Sequence, residues 1–511
     1  MREATVSVLG LTFELDKDSR LPVRHQVSAL FKQSILGGRL MAGQLLPSTR
    51  ELSVVLGISR STCVRVYEDL SSQGFIETSG GTGTFVRFRP AAVRTRAETG
   101  PAPSLSGYSR QLLLTQPQKL MAHDFPELNH GCAPAEFLPV KLWRQALLAC
   151  AQQFDQEGLD YGTDPFGYRP LREAICAYLY RSRMIDCPVD RLVIFSSSAY
   201  PVKLAAEMLI DPGDNIVFPE PGAPYARNIF TSLGAHLIGL ETDENGMKVD
   251  QLQRSCEAAK LVYVNSLHHG AHGAVLSQER RKALLEWASK RAVMIVEDDC
   301  NAGFNYNAAN LPSLRALSET DNVLYISNFW QTLYPLVNVS FMIAPAQLVP
   351  VLRRAWEVAH HSFHTHLPLF DQQALAMLLN EGDYEKHLRR VQPVFASRWR
   401  TLVHELTKQF GKEVEITRGS SAYQVSVTFK SAYSEAAVIE SAKSAELPLV
   451  LGRNIFAGAA KNGEFIIPFA QLTEEQIEQK VGAFGQHLKS SSACTQMTYM
   501  ANQIYSFGVT P

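Results

Sequence analysis

The 511-residue sequence predicts a small α+β domain, a helix-turn-helix with a β-wing, followed by a larger α/β domain and a smaller α+β subdomain. Three observations predict this. Between Leu45 and Val86, two helix-start signals stand a short turn apart and lead into two β-runs around glycines. From about residue 121, short apolar runs (LVIFSS, NIVFPEP, KLVYVNS, AVMIVEDD, VLYISN) alternate with helical patterns, the mark of a mostly parallel sheet. From about residue 390, EVEITRG, AYQVSVTFK and GEFIIPF lie between helices.

The chain divides accordingly. Residues 1–88 form the front domain and 121–390 the large domain, with the small subdomain over 391–488. Residues 89–120 are rich in Pro, Ala, Ser and Arg with few large apolar side chains, which predicts a linker. Residues 489–511 are small and polar, which predicts a loose tail.

Net charge is −1 and 46% of residues are hydrophobic, so no global charge marks a nucleic-acid or membrane protein. Residues 1–110 nevertheless carry fourteen Lys and Arg against nine acids, a basic front that suits an anionic partner. Eight Cys lack CxxC spacing, and no stretch reaches the length of a membrane span. Free buried thiols and a cytoplasmic, nucleoid-associated home without membrane contact are expected.

In the front domain, Ser48 and Glu51 form an S-x-x-E capping box that starts a helix. Leu52, Val55 and Leu56 are its predicted buried face, and Gly57 its left-handed end. Ser59 caps a second helix whose inner face is Cys63, Val66, Tyr67 and Leu70, and Gly74 ends it. Arg60, Ser61, Thr62 and Arg65 lie at its start and on the outer face. FIET and GTFV flank the tip Gly81, Thr82 and Gly83, where bare backbone can approach a phosphate. A solvated helix start is the plain alternative for Ser-Arg-Ser-Thr. Cap, turn, second cap and wing in register favour double-stranded DNA, with Arg60 and Arg65 as base or phosphate contacts and Arg50 on backbone. The segment resembles the winged-helix domain of the GntR family of bacterial regulators, through LPSTRELS, GISRSTCVRVYEDL and GTGTFV. That family's first helix corresponds to about 21–40.

Further along, DYGTDPFGYRPLREAICAYL, LIDPGDNIVFPEPGAP, VEDDC and ISNFWQTLYP occur in the order seen in fold-type I aminotransferases. With the winged helix, the chain resembles the MocR subgroup of GntR regulators. The resemblance implies an N-terminal winged helix-turn-helix, a fold-type I aminotransferase-like large domain, a homodimer reading paired half-sites, and sensing of pyridoxal phosphate or an amino compound.

A pyridoxal phosphate site needs a Lys for the aldimine, an Asp beside the pyridine nitrogen, a phosphate cup and a stacked aromatic ring. Asp298 matches the family's acid, and thirty-three residues on, where the resemblance expects the Lys, stands Gln331. A carboxamide nitrogen is not nucleophilic, so internal aldimine chemistry is excluded there. Other departures agree. The cup reads Ser196-Ser197-Ser198-Ala199-Tyr200, with Ser197 in place of glycine and Pro201 lacking an N–H. Ala223 replaces an aromatic residue, Cys300 a Tyr, Ala271 a Pro and Asn338 an Arg. The resemblance thus implies a cofactor site degenerate in Gln331, with pyridoxal phosphate lost or held only non-covalently. Asp298 has two readings, a remnant that caps its strand or a cofactor contact. Trp330 and Tyr200 suit a filled cleft, whereas Ala199, Ala223 and Cys300 suit one refitted for another ligand.

His268, His269 and His272, with the later run AHHSFHTH, raise metal binding, but no acid or Cys has matching spacing and no metal is expected. Cys300 beside two Asp should have a raised thiol pKa. FNYNAANLPSL is taken as a surface hairpin. The reading is therefore a DNA-binding transcriptional regulator with a non-enzymatic aminotransferase-like domain that serves dimerisation and non-covalent effector sensing. The alternatives are a Lys-independent pyridoxamine phosphate enzyme and a His-loop metal or small-molecule sensor.

Overall fold

The computed structural model describes residues 4–9, 11–16, 19, 21–79, 83–87, 105–115, 133–153, 164–255, 258–267, 274–300, 311–358, 368–416, 423–430, 433–452 and 463–506. The chain forms two compact units, Met1–Pro103 and Ser104–Pro511.

The front unit opens with a hairpin, β1 (Ala4–Val8) and β2 (Leu11–Leu15), which the sequence reading does not foresee. Then come α1 (Val23–Leu36), β3 (Leu45–Leu46), α2 (Thr49–Leu56), α3 (Arg60–Ser72), β4 (Ile76–Ser79) and β5 (Gly83–Val86). Strand β5 pairs antiparallel with both β3 and β4, giving a three-stranded wing. Local chemistry sets each helix boundary. Ser48 Oγ accepts from Glu51 N–H, and Glu51 Oε2 accepts from Ser48 N–H at 2.8 Å, a complete capping box. Gly57, at φ 61°, ends α2 in the left-handed conformation. Ser59 Oγ accepts from Thr62 N–H at 3.1 Å and starts α3. The core joins Val27, Phe31 and Ile35 of α1 to Leu52, Leu56, Cys63, Val66, Tyr67 and Leu70. Val55 departs from expectation. It is 40% exposed, because Leu52 and Leu56, the two buried residues of this eight-residue helix, suffice to seat it on α3.

The second unit starts inside the predicted linker with α4 (Gly107–Leu114), capped by Ser106 and packed on a helix of the large domain. Its main elements follow as α5 (Val140–Gln152), α6 (Arg169–Arg183), β6 (Leu192–Phe195), α7 (Tyr200–Leu209), β7 (Asn215–Glu220), α8 (Pro224–Ser232), β8 (His236–Asp243), β9 (Gly246–Met247), α9 (Leu252–Ser255), β10 (Ala259–Val264), α10 (Gln278–Arg291), β11 (Met294–Asp298), α11 (Leu314–Leu317), β12 (Val323–Asn328), α12 (Trp330–Leu333) and β13 (Ser340–Ile343). The eight-stranded sheet has the order β6-β13-β12-β11-β10-β7-β8-β9. Strands β8, β7, β10, β11 and β12 pair in parallel, and β13 runs antiparallel between β12 and β6. Strands β6, β11 and β13 are buried throughout and β10 all but Lys260, as a sheet covered on both faces requires, whereas β8 is largely exposed or half-buried.

Helices α13 (Val349–Val358), α14 (Leu369–Asn380) and α15 (Asp383–Phe410) lead to the small subdomain. There β14 (Val414–Ile416), β15 (Gln424–Phe429), α16 (Glu435–Ser444), β16 (Val450–Leu451) and β17 (Glu464–Pro468) form an antiparallel sheet of order β14-β15-β17-β16. It is covered by α15, α16 and α17 (Glu474–Ser506). The backbone of α17 continues to Ser506, so the expected loose tail beyond Lys489 is helical for most of its length.

Candidate functional site

Two regions carry the residues singled out by the sequence. In the front unit, Arg50, Arg60 and Arg65 are exposed, and among the described residues nothing pairs with their guanidinium groups. That contrasts with Arg24, which lies 3.5 Å from Asp69, and Arg87, which lies 3.7 Å from Glu77. Ser61 is exposed and Thr62 half-buried. Both hydroxyls meet Ser59 Oγ, at 2.9 Å and 2.7 Å, so these three side chains form a local knot at the N-terminus of α3. Tyr67 donates to Pro47 O at 2.7 Å and ties α3 to the entry of α2. At the wing, Gly83 has φ 114°, and an added Cβ would lie 2.7 Å from Leu45 Cδ1, so glycine is required there. Gly81 and Thr82 lie outside the described residues. A cleft of about 790 Å³ between α3 and the wing includes Glu51 and Glu68 in its wall and no basic residue, which does not suit phosphate.

In the large domain, the sheet register collects the predicted cofactor residues along one edge, the carboxyl ends of the parallel strands. Ser196 and Ser198 follow β6 and Ala223 follows β7. Asp298 ends β11, Trp330 and Gln331 follow β12, and Asn338 precedes the antiparallel β13. His268, which would follow β10, lies outside the described residues, as do Ala271, the other His of both clusters and most of FNYNAANLPSL.

The three acids at the tip of β11 have different fates. Glu297 is buried and accepts from Ser266 O–H at 2.5 Å, Leu314 N–H at 2.8 Å and Arg315 N–H at 2.9 Å. Asp299 is fully buried and takes Arg183 Nε at 2.9 Å and the Tyr325 phenol at 2.6 Å. Burial raises its carboxyl to about 6, with Glu297 adding to the rise and Arg183 and Tyr325 opposing it. Asp298 is 1% exposed, and its Oδ2 accepts from the phenols of both Tyr225 and Tyr263, the latter at 2.5 Å. Its Oδ1 accepts from Cys300 N–H at 3.2 Å. The two phenols are pushed well above their ordinary pKa by burial and then by the Asp298 charge, which keeps them as donors. The Cys300 thiol is also raised, by burial first and by Asp298 second, in the direction the sequence predicts.

Gln331 is half-buried. Its main-chain oxygen accepts from Ala133 N–H at 2.9 Å and from the Tyr423 phenol at 2.8 Å. The Trp330 ring lies 5.5 Å from that of Tyr334. Tyr200 begins α7, with its ring 5.8 Å from Phe195, and Ala199 caps that helix without a side-chain acceptor. Ser197 O accepts from Ser340 O–H at 2.6 Å. Asn338 Oδ1 is buried and has no hydrogen-bond partner among the described residues. No group of His, Cys, Asp and Glu suited to a metal ion occurs among the described residues.

Sequence reasoning missed Tyr225 and Tyr263 as partners of Asp298. A lone phenol inside the apolar run KLVYV was the available signal for Tyr263, since a buried tyrosine hydroxyl needs a partner.

Comparison with known proteins follows this division. Residues 23–86 match the model of bacterial regulatory proteins of the gntR family, and residues 134–483 match aminotransferase class I and II. The chain is similar to the uncharacterized HTH-type transcriptional regulator YdeL of Bacillus subtilis, 25% identical over 85% of this chain and 90% of that protein. It is 28% identical to the probable rhizopine catabolism regulatory protein MocR of Rhizobium meliloti, over 81% of this chain and 83% of that one. Among solved structures, LysN, an alpha-aminoadipate aminotransferase from Thermus thermophilus, shares the fold at a TM-score of 0.63 and 23% identity, covering 76% of this chain and 96% of that one. The chain belongs to the aminotransferase class I and II family and carries, ahead of that domain, the gntR-family domain of bacterial regulatory proteins.

Proposed function

We propose that this protein is a DNA-binding transcriptional regulator whose aminotransferase-like domain dimerises the chain and senses a non-covalently held effector without aldimine chemistry. The observation that carries the DNA part is the exposed arginine set Arg50, Arg60 and Arg65, unpaired among the described residues, on a capped helix-turn-helix. In this arrangement α3 enters the major groove, and Arg60 and Arg65 meet base edges or phosphates there. The Ser59, Ser61 and Thr62 hydroxyls hold the start of α3 and present it to the backbone. Relatives named as transcriptional regulators over most of their length support the same reading.

On this reading pyridoxal phosphate does not fit the large domain. The position matched to the aldimine Lys is Gln331, and both phenols already engage Asp298 Oδ2. The position matched to the phosphate Arg is Asn338, a neutral amide that cannot supply the bidentate charged grip of an Arg. No catalytic residue is assigned. The edge of the sheet remains the place for an effector, bounded by Ser196, Ser198, Ala223, Cys300 and Trp330.

The test uses the full-length protein and an operator selected from random duplexes. Arg60→Ala should weaken operator binding and broaden its sequence preference in a mobility-shift assay. Unchanged affinity and selectivity would count against the DNA reading. An aldimine absorption band after addition of pyridoxal phosphate would overturn the cofactor part. A monomer by light scattering would remove dimerisation.

A further inference from the structure

Two thiols meet between the middle of α6 and the segment that follows it. Cys176 Sγ and Cys187 Sγ lie 3.2 Å apart. Cys176 is on α6, while Cys187 is in the short segment that turns the chain into β6. The pair is held together from both sides. Arg172, one turn before Cys176, donates to Val189 O at 2.9 Å, two residues past Cys187, and pairs with Asp164. Arg183, inside the loop that the two thiols bracket, is anchored to Asp299. Cys176 is only half-buried, so a small oxidant can reach it, whereas Cys187 is buried.

The chemistry of the two sulfurs differs. Either thiol can donate in this contact. With Cys187 as the donor, the bond is the largest influence lowering the Cys176 pKa, burial opposes it and the Arg172 guanidinium adds to it. The same bond and burial raise Cys187, which stays a thiol. Greater exposure and the nearby Arg172 guanidinium favour Cys176 as the thiolate that meets the oxidant, and buried Cys187 as the resolving thiol.

We propose that Cys176 and Cys187 form a peroxide-sensitive dithiol that is oxidised to an intramolecular disulfide. The Cys176 thiolate attacks a hydroperoxide oxygen, breaking the O–O bond. Cys176 becomes a sulfenic acid, and the leaving alkoxide or hydroxide takes a proton. Cys187 sulfur then attacks Cys176 sulfur, and its proton leaves with the sulfenic hydroxyl as water. The sulfurs must close by about 1.2 Å to reach disulfide length, a motion within the reach of side-chain rotation and a small shift of the turn. A dithiol of the cytosolic redox chain reverses the bond. Such transient disulfides are the kind a reducing compartment allows.

The test treats the full-length protein with hydrogen peroxide, quenches free thiols, and maps peptides by mass spectrometry. The expected product is a Cys176–Cys187 cross-linked peptide, with the intact chain lighter by two hydrogens and restored by dithiothreitol. Cys176→Ser should abolish the cross-link. Cys187→Ser should leave Cys176 as a sulfenic acid that a dimedone probe traps. A cross-link from Cys176 to another cysteine would overturn the proposal. So would failure to form the Cys176–Cys187 bond at peroxide levels that oxidise the chain's other thiols. Dimedone labelling of Cys187 in the Cys176→Ser protein, rather than of Cys176 in the Cys187→Ser protein, would overturn the assigned order of attack.

Discussion

His387 sits inside α15 with a relative exposure of 3%, and neither ring nitrogen has a hydrogen-bond partner among the described residues. Burial, and secondarily Arg390, lower its pKa from 6.5 to about 4. The sign follows directly. Between those values the unfolded chain binds a proton that the folded chain refuses, so stability falls as pH drops through 6.5 and levels off near 4. The whole window is worth about 3 kcal/mol, of which about 2 kcal/mol is lost by pH 5. Replacing His387 by Leu keeps the bulk and removes both the titration and two buried unpartnered nitrogens. The variant should be more stable than the parent at neutral pH by about 1 kcal/mol. Its advantage should widen by about 2 kcal/mol at pH 5. Urea unfolding of both proteins at the two pH values, followed by tryptophan fluorescence, measures this difference of differences and cancels every other titrating group. An advantage that stays constant between the two pH values would refute the argument.

Three further outcomes are expected. Ser48→Ala removes the cap acceptor for Glu51 N–H and should lower the stability of the front domain by about 1 kcal/mol in thermal unfolding. If the proposed backbone contact of Arg50 holds, Arg50→Ala should weaken all sequences alike and flatten the plot of log affinity against log salt by about one unit, measured by fluorescence anisotropy. Gly222→Ala would place a Cβ 2.2 Å from Phe218 Cε1 and 2.4 Å from Pro219 O. The backbone oxygen cannot yield cheaply, so a loss of about 3 kcal/mol or poor soluble expression is expected.

The helix-turn-helix was legible because its boundaries are written in single residues. Ser48, Glu51, Gly57 and Ser59 each satisfy or release named backbone groups, and these act locally. The parallel sheet was legible because strands buried on both faces are apolar runs. Other features depend on distance in sequence. The two-residue strand β3 exists only through its pairing with β5. Helix α4 has a linker-like composition and is seated by packing on α8. The pairing of Tyr225 and Tyr263 on Asp298 joins the start of α8 to the ends of β10 and β11 across up to 73 residues, and no local pattern encodes it. Cys176 and Cys187 are likewise unremarkable as spacing and meaningful only where the turn after α6 brings them together.

Ala133 and Tyr423 both donate to the main-chain oxygen of residue 331. Every amino acid presents that atom, so the grip of Ala133 and Tyr423 on the turn survives any change of side chain. The turn is thereby a three-way junction between the lead-in to α5, the large sheet and the small subdomain. Exchange at this position can alter the chemistry of the edge while leaving the junction mechanically intact. A lineage could pass from one side chain to another here without an unfolded intermediate, which makes residue 331 a place where ligand preference can drift faster than architecture.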